Sequence, residues 1–229
     1  MSDGGLLTTD LSDGVRTIAL DDGRVNAFSV PMLEALHSAL DDAEEEGSIV
    51  VVRGRDGIFS AGFDLKSIAE RTNEMLGLGA RLAERLFSFP RPVISACTGH
   101  GIAMGGFVLL ASDLRIGTAG DFNIGLNEVV IGLTIPRFGI ALAGHRLSRG
   151  WHDRATLTGE LFSPEDALAA GFLDRVAEPG EEFETAVAEA AVAAKAAKEQ
   201  AHLGTKLRAR AVALEAMRGG FEPGDDGTW

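Results

Sequence analysis

The sequence predicts an α/β fold with parallel strands, followed by a separate layer of helices. Two apolar runs, "SIVVVRG" at 48–54 and "RPVISACTG" at 91–99, are typical of strands buried on both faces. Each run is followed by apolar residues at helical spacing, which is the pattern of strand–helix units around a parallel sheet. We therefore expect a core over residues 1–180, and C-terminal helices with a short tail over residues 181–229 that pack on the core or on another subunit.

Composition excludes several kinds of partner. The 229 residues include 34 acidic and 21 basic side chains, and the formal net charge of −13 disfavours nucleic acid and anionic membranes as main partners. No apolar run approaches the roughly 18 residues of a membrane span, and the N-terminal residues lack a signal pattern. The single cysteine, Cys97, is predicted to be a small buried residue, and a reducing compartment fits its isolation. We expect a cytoplasmic protein.

Local patterns predict the remaining elements. The alternating residues 15–22 predict a strand, and Ser29 is the predicted N-cap of a helix that ends at Gly47. Residues 64–88 are predicted to be helical, with a break near "GLGAR" at 77–81. The second half is predicted to contain a short helix at 104–113, a strand at 114–121, a loop-rich stretch around Glu128, helices over 138–172, a strand in "LDRVAEP", and helices over 180–217 that break at Gly204.

A glycine-rich turn, "TGHGIAMGGF" at 98–107, joins a predicted strand to a predicted helix. One interpretation is a dinucleotide-binding turn, with Asp121 placed 20 residues beyond Gly101 as a ribose-binding acid. The following helix is short for that role, and the sequence has no tyrosine, which removes the Tyr–Lys pair of many short dehydrogenases. The other interpretation is an oxyanion hole, because "FSAGFD" at 59–64 repeats the same strand–glycine–helix device. Two helix N-terminal amides aimed at one point would stabilise a developing negative oxygen.

Four segments, in order, resemble the crotonase, or enoyl-CoA hydratase/isomerase, superfamily over roughly residues 10–215. They are "RVNAFS", "IFSAGFDLKSI", "RPVISACTGHGIAMGGFVLLASDLRIG" and "IGLNEVVIGLTIP". The resemblance implies a spiral of repeated ββα units, with C-terminal helices used for trimer contacts. It also implies an acyl-CoA thioester substrate. Coenzyme A is part of that substrate, so no separate cofactor is expected. The resemblance further implies assembly as a homotrimer or as a hexamer of two trimers. No Cys/His cluster has metal-ligand spacing, so no metal is expected.

The resemblance also assigns roles to individual residues. The oxyanion-hole amides fall on Phe63 and Met104, where the family usually has glycine at the second position; Gly105 is the alternative donor. Substrate-binding positions fall on Ala27, Ala61, Asp64, Leu65, Lys66 and Phe107. For Asp64 the alternative is helix capping, and for Lys66 it is a solvated side chain instead of a contact with CoA phosphates. His100 is expected to pack or to form a backbone hydrogen bond and not to act in catalysis.

The carboxylates of the site indicate which reaction to expect. The family's two glutamates align with Phe107 and Glu128, so only Glu128 is present. Its apolar setting is expected to raise its pKa toward neutrality, which suits a general base. A single base can take a proton from C2 of a 3-enoyl thioester and return it at C4, and "NIGLNE" resembles mitochondrial 3,2-enoyl-CoA isomerases. We therefore expect isomerisation; the alternatives are an enoyl-CoA hydratase and a catalytically degenerate acyl-CoA-binding protein.

Overall fold

The computed structural model describes residues 5–218, apart from the side chains of residues 67–70, so the predicted tail 219–229 lies outside the described residues. The strands of the described part are β1 (Leu7–Ser12), β2 (Val15–Leu20), β3 (Ile49–Arg53), β4 (Gly57–Ser60), β5 (Val93–Cys97), β6 (Gly99–Ile102), β7 (Leu114–Thr118), β8 (Ile124–Gly125), β9 (Leu161–Phe162) and β10 (Arg175–Ala177). Its helices are α1 (Val30–Glu45), α2 (Leu65–Ser88), α3 (Met104–Ala111), a 3₁₀ helix (Glu128–Ile131), α4 (Arg137–Arg146), α5 (Arg149–Leu157), α6 (Pro164–Ala170), α7 (Glu181–Lys195), α8 (Glu199–Ala209) and α9 (Ala211–Arg218).

The strands form two sheets that the chain visits alternately. The larger sheet has the order β1-β2-β3-β5-β7-β10, and the smaller one has the order β4-β6-β8-β9. All pairs are parallel except β1 with β2 and β8 with β9. The runs β3-β4-α2 and β5-β6-α3 each place one strand in each sheet and then a helix. This repeat is the ββα spiral that the family resemblance implies.

The central strands of the larger sheet are buried on both faces, as their continuous apolar sequences predict. Val50 and Val52 belong to the main core, whereas Ile49 and Val51 belong to a second core that α7 covers with Phe183 and its neighbours. Helix α1 begins where expected, because the Ser29 side chain accepts a hydrogen bond from the Met32 N–H. Within residues 5–218, no helix combines the length and the apolar character that a bilayer crossing requires.

Two predicted helix breaks are wrong. Helix α2 runs through 77–81, and its irregular residue is Arg71, with φ −137° and ψ 43°. Helix α8 likewise runs through Gly204. A glycine inside a helix costs only about 1 kcal/mol. At Gly79 the missing side chain lets the Phe63 ring pack against α2, because a β-carbon there would lie 2.5 Å from Phe63 Cζ.

Strands β4 and β6 do not follow from the local pattern, because both are short and rich in glycine. A β-carbon on Gly99 would lie 2.1 Å from the Gly57 carbonyl carbon, so the two backbones approach too closely for a side chain there. Glycine inside a strand is the sequence signal for such an approach. The two strands form the part of the smaller sheet from which the site is built.

The C-terminal helices are anchored to the core by a buried ion-pair cluster. Asp113, between α3 and β7, accepts hydrogen bonds from Lys206 Nζ at 2.7 Å and lies 2.8 Å from Arg210 Nη2. Lys206 Nζ also donates to the carbonyls of Phe89, at 2.8 Å, and Arg91, at 3.2 Å, so its three protons are all used. The cluster therefore holds α8 against the end of α3.

Candidate active site

The first turn of the site joins β4 to α2. Gly62 has φ +96°, a conformation that L side chains rarely adopt. Its carbonyl accepts the Phe28 N–H at 2.8 Å, and the Phe28 carbonyl accepts the Asp64 N–H at 3.2 Å. Among the described residues, no backbone carbonyl accepts the Phe63 N–H that lies between these two bonds. The turn therefore leaves one amide donor free.

The second turn joins β6 to α3 and carries the strained residue of the site. Ala103 has φ 53° and ψ −118°, and a non-glycine residue held there costs about 1–3 kcal/mol. Its N–H donates to the Gly125 carbonyl at 2.9 Å, which ties the turn to β8. Met104 is the first residue of α3 and has no positive φ. Its backbone angles therefore suit methionine, and its N–H has no partner within the helix.

The two turns are in contact. A β-carbon on Gly62 would lie 2.7 Å from Ala103 Cβ and 3.3 Å from Met104 N. Phe63 directly follows Gly62, so the structure brings together the Phe63 and Met104 segments that the sequence pairs. Gly79 of α2 lies behind both, because a β-carbon there would lie 2.5 Å from Phe63 Cζ and 3.5 Å from Met104 Sδ.

Asn26 supports the first turn, a role that the sequence analysis did not assign. This residue is fully buried with φ 52°, and its Nδ2 donates to the carbonyls of Leu20 at 3.1 Å and Phe59 at 3.2 Å. Ser60 Oγ donates to the Asn26 carbonyl at 2.7 Å and accepts the Gly62 N–H at 3.0 Å. The residue type is the feature of the sequence that indicates this role, because asparagine tolerates positive φ better than most residues.

Glu128 is a buried carboxyl group without a partner. It begins the 3₁₀ helix after β8, and only 5% of its surface is exposed. Neither Oε1 nor Oε2 has a hydrogen-bond partner among the described residues. Burial raises the pKa of Glu128 to about 7. It follows Gly125 by three residues, so its Cα lies within about 11 Å of the residue that binds the second turn.

Phe107 is the residue that the resemblance aligns with the family's second glutamate. Phe107 lies one turn along α3 from Met104 and is fully buried. Its ring meets that of Phe138 edge-on, with 5.2 Å between the centroids. A β-carbon on Gly139 would lie 2.5 Å from Phe107 Cε1. The Phe107 ring therefore packs closely against the start of α4, and contact between Phe107 and a substrate stays a prediction.

The other predicted substrate-binding residues border the first turn. Ala61, Leu65 and Lys66 are exposed, whereas Ala27 and Asp64 are half-buried. The Asp64 carboxylate accepts the Lys66 N–H at 3.3 Å, which is the capping geometry named above as the alternative to a ligand contact.

Two further side chains have structural roles. His100 Nδ1 accepts the Asn123 N–H at 2.9 Å, so the predicted backbone hydrogen bond is confirmed. Cys97 is buried, as predicted, and burial raises its pKa to about 12, which keeps the thiol protonated. In the part of the chain that the structure describes, no group of three or more His, Cys, Asp or Glu residues could hold a metal ion.

The enoyl-CoA hydratase/isomerase family model matches residues 10–218, which is nearly the whole described chain. The chain belongs to the enoyl-CoA hydratase/isomerase family. Family membership replaces the dinucleotide interpretation of the glycine-rich turn, and the ββα spiral described above is the family's fold.

Some relatives within the enoyl-CoA hydratase/isomerase family are named hydratases and others are named isomerases. A protein from Thermus thermophilus that is named an enoyl-CoA hydratase is 35% identical over 222 residues, and the match covers 89% of this chain and 81% of that relative. The solved structure of an enoyl-CoA isomerase from Mycobacterium tuberculosis is 42% identical, with a TM-score of 0.90, and the match covers 96% of this chain and 97% of that one. The human mitochondrial delta3-delta2-enoyl-CoA isomerase is 26% identical, with a TM-score of 0.88 and coverage of 94% and 87%.

We predict that Gly62→Ala disrupts the site far more than a matched glycine variant does. Its β-carbon would lie 2.7 Å from Ala103 Cβ and push the two turns apart. Gly47→Ala is the control, because Gly47 also has positive φ (+64°) but has no atom within 4 Å of an added β-carbon. Both variants should lose about 1–2 kcal/mol of unfolding free energy from backbone strain, measured by urea titration. Only Gly62→Ala should also lose most of its turnover of enoyl-CoA, and equal turnover in the two variants would contradict the contact.

Proposed function

We propose that this enzyme isomerises 3-enoyl-CoA to 2-enoyl-CoA, with Glu128 as its only general base. The observation that carries the proposal is the buried Glu128 carboxyl group, which has no hydrogen-bond partner among the described residues. The resemblance supports it by aligning Phe107, an aromatic residue, with the family's second glutamate. A hydratase must hold and activate a water molecule, which needs polar groups on both sides of the double bond. Phe107 packed against Phe138 offers none.

The proposed reaction moves one proton and one double bond. The Glu128 carboxylate takes a proton from C2, and the electron pair of that C–H bond forms a dienolate whose charge lies on the thioester oxygen. The carboxylic acid then returns the proton to C4, while the C3–C4 double bond becomes C2–C3. A pKa of about 7 suits both halves, because the group is a base and an acid of similar strength near neutral pH.

The amides of Phe63 and Met104 are the proposed donors to the thioester oxygen. Support comes from the contact between the two turns and from the missing backbone partner of the Phe63 N–H. Met104 is favoured over Gly105, because Met104 N is the atom that lies beside Gly62. Removing one such donor typically costs about 10²–10³ in kcat.

Coenzyme A enters this proposal as part of the substrate, with no separate cofactor or metal. The exposed residues Ala61, Leu65 and Lys66 border the first turn and form the proposed entrance, where Lys66 would meet CoA phosphates. We also propose a homotrimer, or a hexamer of two trimers. Several apolar side chains between residues 130 and 157 support an assembly because they are exposed, with 67% of Val130 and 68% of Leu157 accessible in the single chain.

Hydration of 2-enoyl-CoA is the second candidate. The name of the Thermus thermophilus relative favours it. It requires that another group take over the role of the missing second carboxylate.

We predict that Glu128→Gln lowers turnover and removes a pH-dependent loss of unfolding free energy. Turnover of 3-enoyl-CoA should fall by about 10²–10⁴, the usual contribution of a general base, whereas thioester binding should change by less than about threefold. The pKa of Glu128 in the fold, about 7, lies above its ordinary value of 4.5. The contribution of the protonated Glu128 to the unfolding free energy is therefore complete below pH 4.5. This contribution is lost as the pH rises through 7.

Between pH 4.5 and 8.5 the wild type should accordingly lose up to about 3 kcal/mol of unfolding free energy relative to Glu128→Gln. Denaturant titrations at several pH values measure this difference. Glu215→Gln, at an exposed glutamate of α9, is the control and should follow the wild type in both readouts. Turnover of Glu128→Gln within a few-fold of the wild type would show that another group is the base.

We predict that Phe107→Glu increases hydration of crotonyl-CoA by at least about tenfold, since a placed acid–base group gives 10²–10⁴ and this one would be imperfectly placed. Its unfolding free energy should drop by about 1–3 kcal/mol, because the new carboxyl group replaces a buried ring. Phe107→Leu is the control, because it opens space without adding a carboxyl group. A wild type that already hydrates crotonyl-CoA faster than it isomerises 3-enoyl-CoA would establish the hydratase function instead.

A further inference from the structure

A cavity lies between α8 and the end of α4, beside the Asp113 cluster. Its volume is about 530 Å³. The charged and titratable side chains that line it are Asp113, His145, Arg146, Lys198, His202, Lys206 and Arg210. With neutral histidines this lining carries four positive charges and one negative charge. The lining is therefore basic although the formal net charge of the chain is −13.

Asp113, the single carboxylate of the lining, already forms ion pairs with two of its cations. Asp113 contacts Lys206 Nζ at 2.7 Å and Arg210 Nη2 at 2.8 Å. Outside the lining, the buried Arg115 pairs with the exposed Asp174 through bonds of 2.9 and 2.5 Å. No carboxylate of the described residues pairs with Arg146 or Lys198. Within the described residues, the lining of the cavity therefore carries more positive than negative charge, and Arg146 and Lys198 have no ion-pair partner.

Several donors around the cavity also lack acceptors. Arg146 Nε donates to the Leu110 carbonyl at 3.1 Å and its Nη2 to the Ser112 carbonyl, whereas its Nη1 has no acceptor among the described residues. Lys198 is exposed at the rim. His202 Nε2 is buried without a hydrogen-bond partner and lies 3.9 Å from Asp113 Oδ2. Guanidinium and ammonium groups with free protons are the groups that bind phosphate oxygens in proteins.

Burial, with a smaller effect of neighbouring cations, lowers the pKa values of two basic groups in the cavity. Burial, and then the nearby charges of Arg115 and Arg210, lower the pKa of Arg146 to about 9. Burial also lowers the pKa of Lys206 to about 8, although the Asp113 carboxylate acts against it. An anion in the cavity would oppose both shifts.

We propose that this cavity is a binding site for a small molecule that carries a phosphate group. Arg146 and Lys198 contribute the free positive charges, and the Lys206–Asp113–Arg210 cluster forms the floor. The site is separate from the thioester site. Asp113 follows the C-terminal end of α3, whereas Met104 begins the helix, and the eight residues of α3 span about 12 Å.

Inorganic phosphate is the probe for this site. The melting temperature of the wild type should rise with phosphate concentration beyond the change produced by sodium chloride at the same ionic strength, and its concentration dependence gives a Kd. Lys198→Gln should raise this Kd by about two- to fivefold, as expected for one exposed charge. Arg208→Gln is the matched control: it removes an exposed charge from α8 that does not line the cavity, and its Kd should stay within twofold of the wild type.

Arg146→Gln tests the deeper cation, and its Kd should rise about tenfold or more, as expected for a charge-assisted hydrogen bond. A repeat with a saturating, unreactive acyl-CoA distinguishes a free phosphate ligand from the phosphates of coenzyme A. An unchanged phosphate Kd supports the separate site, whereas displacement of phosphate by the acyl-CoA overturns it. The proposal is also overturned if phosphate stabilises no more than chloride, or if Arg208→Gln weakens binding as much as Lys198→Gln.

Discussion

The contact between the two strand–helix turns is the constraint on which the site depends. Gly62 lies so close to Ala103 and Met104 that no side chain fits at its position. The ββα spiral produces this contact, because β4 and β6 are parallel neighbours whose carboxyl ends meet at the same edge of the smaller sheet. Ala103 remains in a strained conformation there. Strain held by surrounding structure is typical of functional sites.

Glu128 shows a conflict between stability and the proposed chemistry. A carboxyl group buried without a partner destabilises the fold when it ionises. The same burial raises its pKa to about 7, where it can both take and return a proton. The ring of Phe107, the residue that the resemblance aligns with the family's second glutamate, packs against that of Phe138 with 5.2 Å between the centroids. The proposed isomerisation needs only one carboxyl group, because it moves a proton within the substrate and adds no water.

The parallel α/β architecture was predictable from the sequence because its central strands are continuous apolar runs and α1 has a clear N-cap, whereas the spiral followed only from the family resemblance. The apolar setting of Glu128 likewise predicted its raised pKa. Strands β4 and β6 were not predictable in this way, since close backbone contact at Gly57 and Gly99 takes the place of side-chain pattern. The strain at Ala103 and the packing of Phe107 on Gly139 depend on residues distant in sequence, so no local pattern could show them.

The most direct test of the single-base account is isomerisation of 3-enoyl-CoA in D₂O, with the deuterium content of the 2-enoyl-CoA product measured by mass spectrometry in the first turnovers. A lone carboxyl group in an apolar site exchanges its proton with solvent slowly, so the account predicts that more than about half of the product carries at C4 the proton removed from C2. Product that contains one full solvent deuterium at C4 from the first turnover would contradict it, because a second proton donor or a wet site would then be at work.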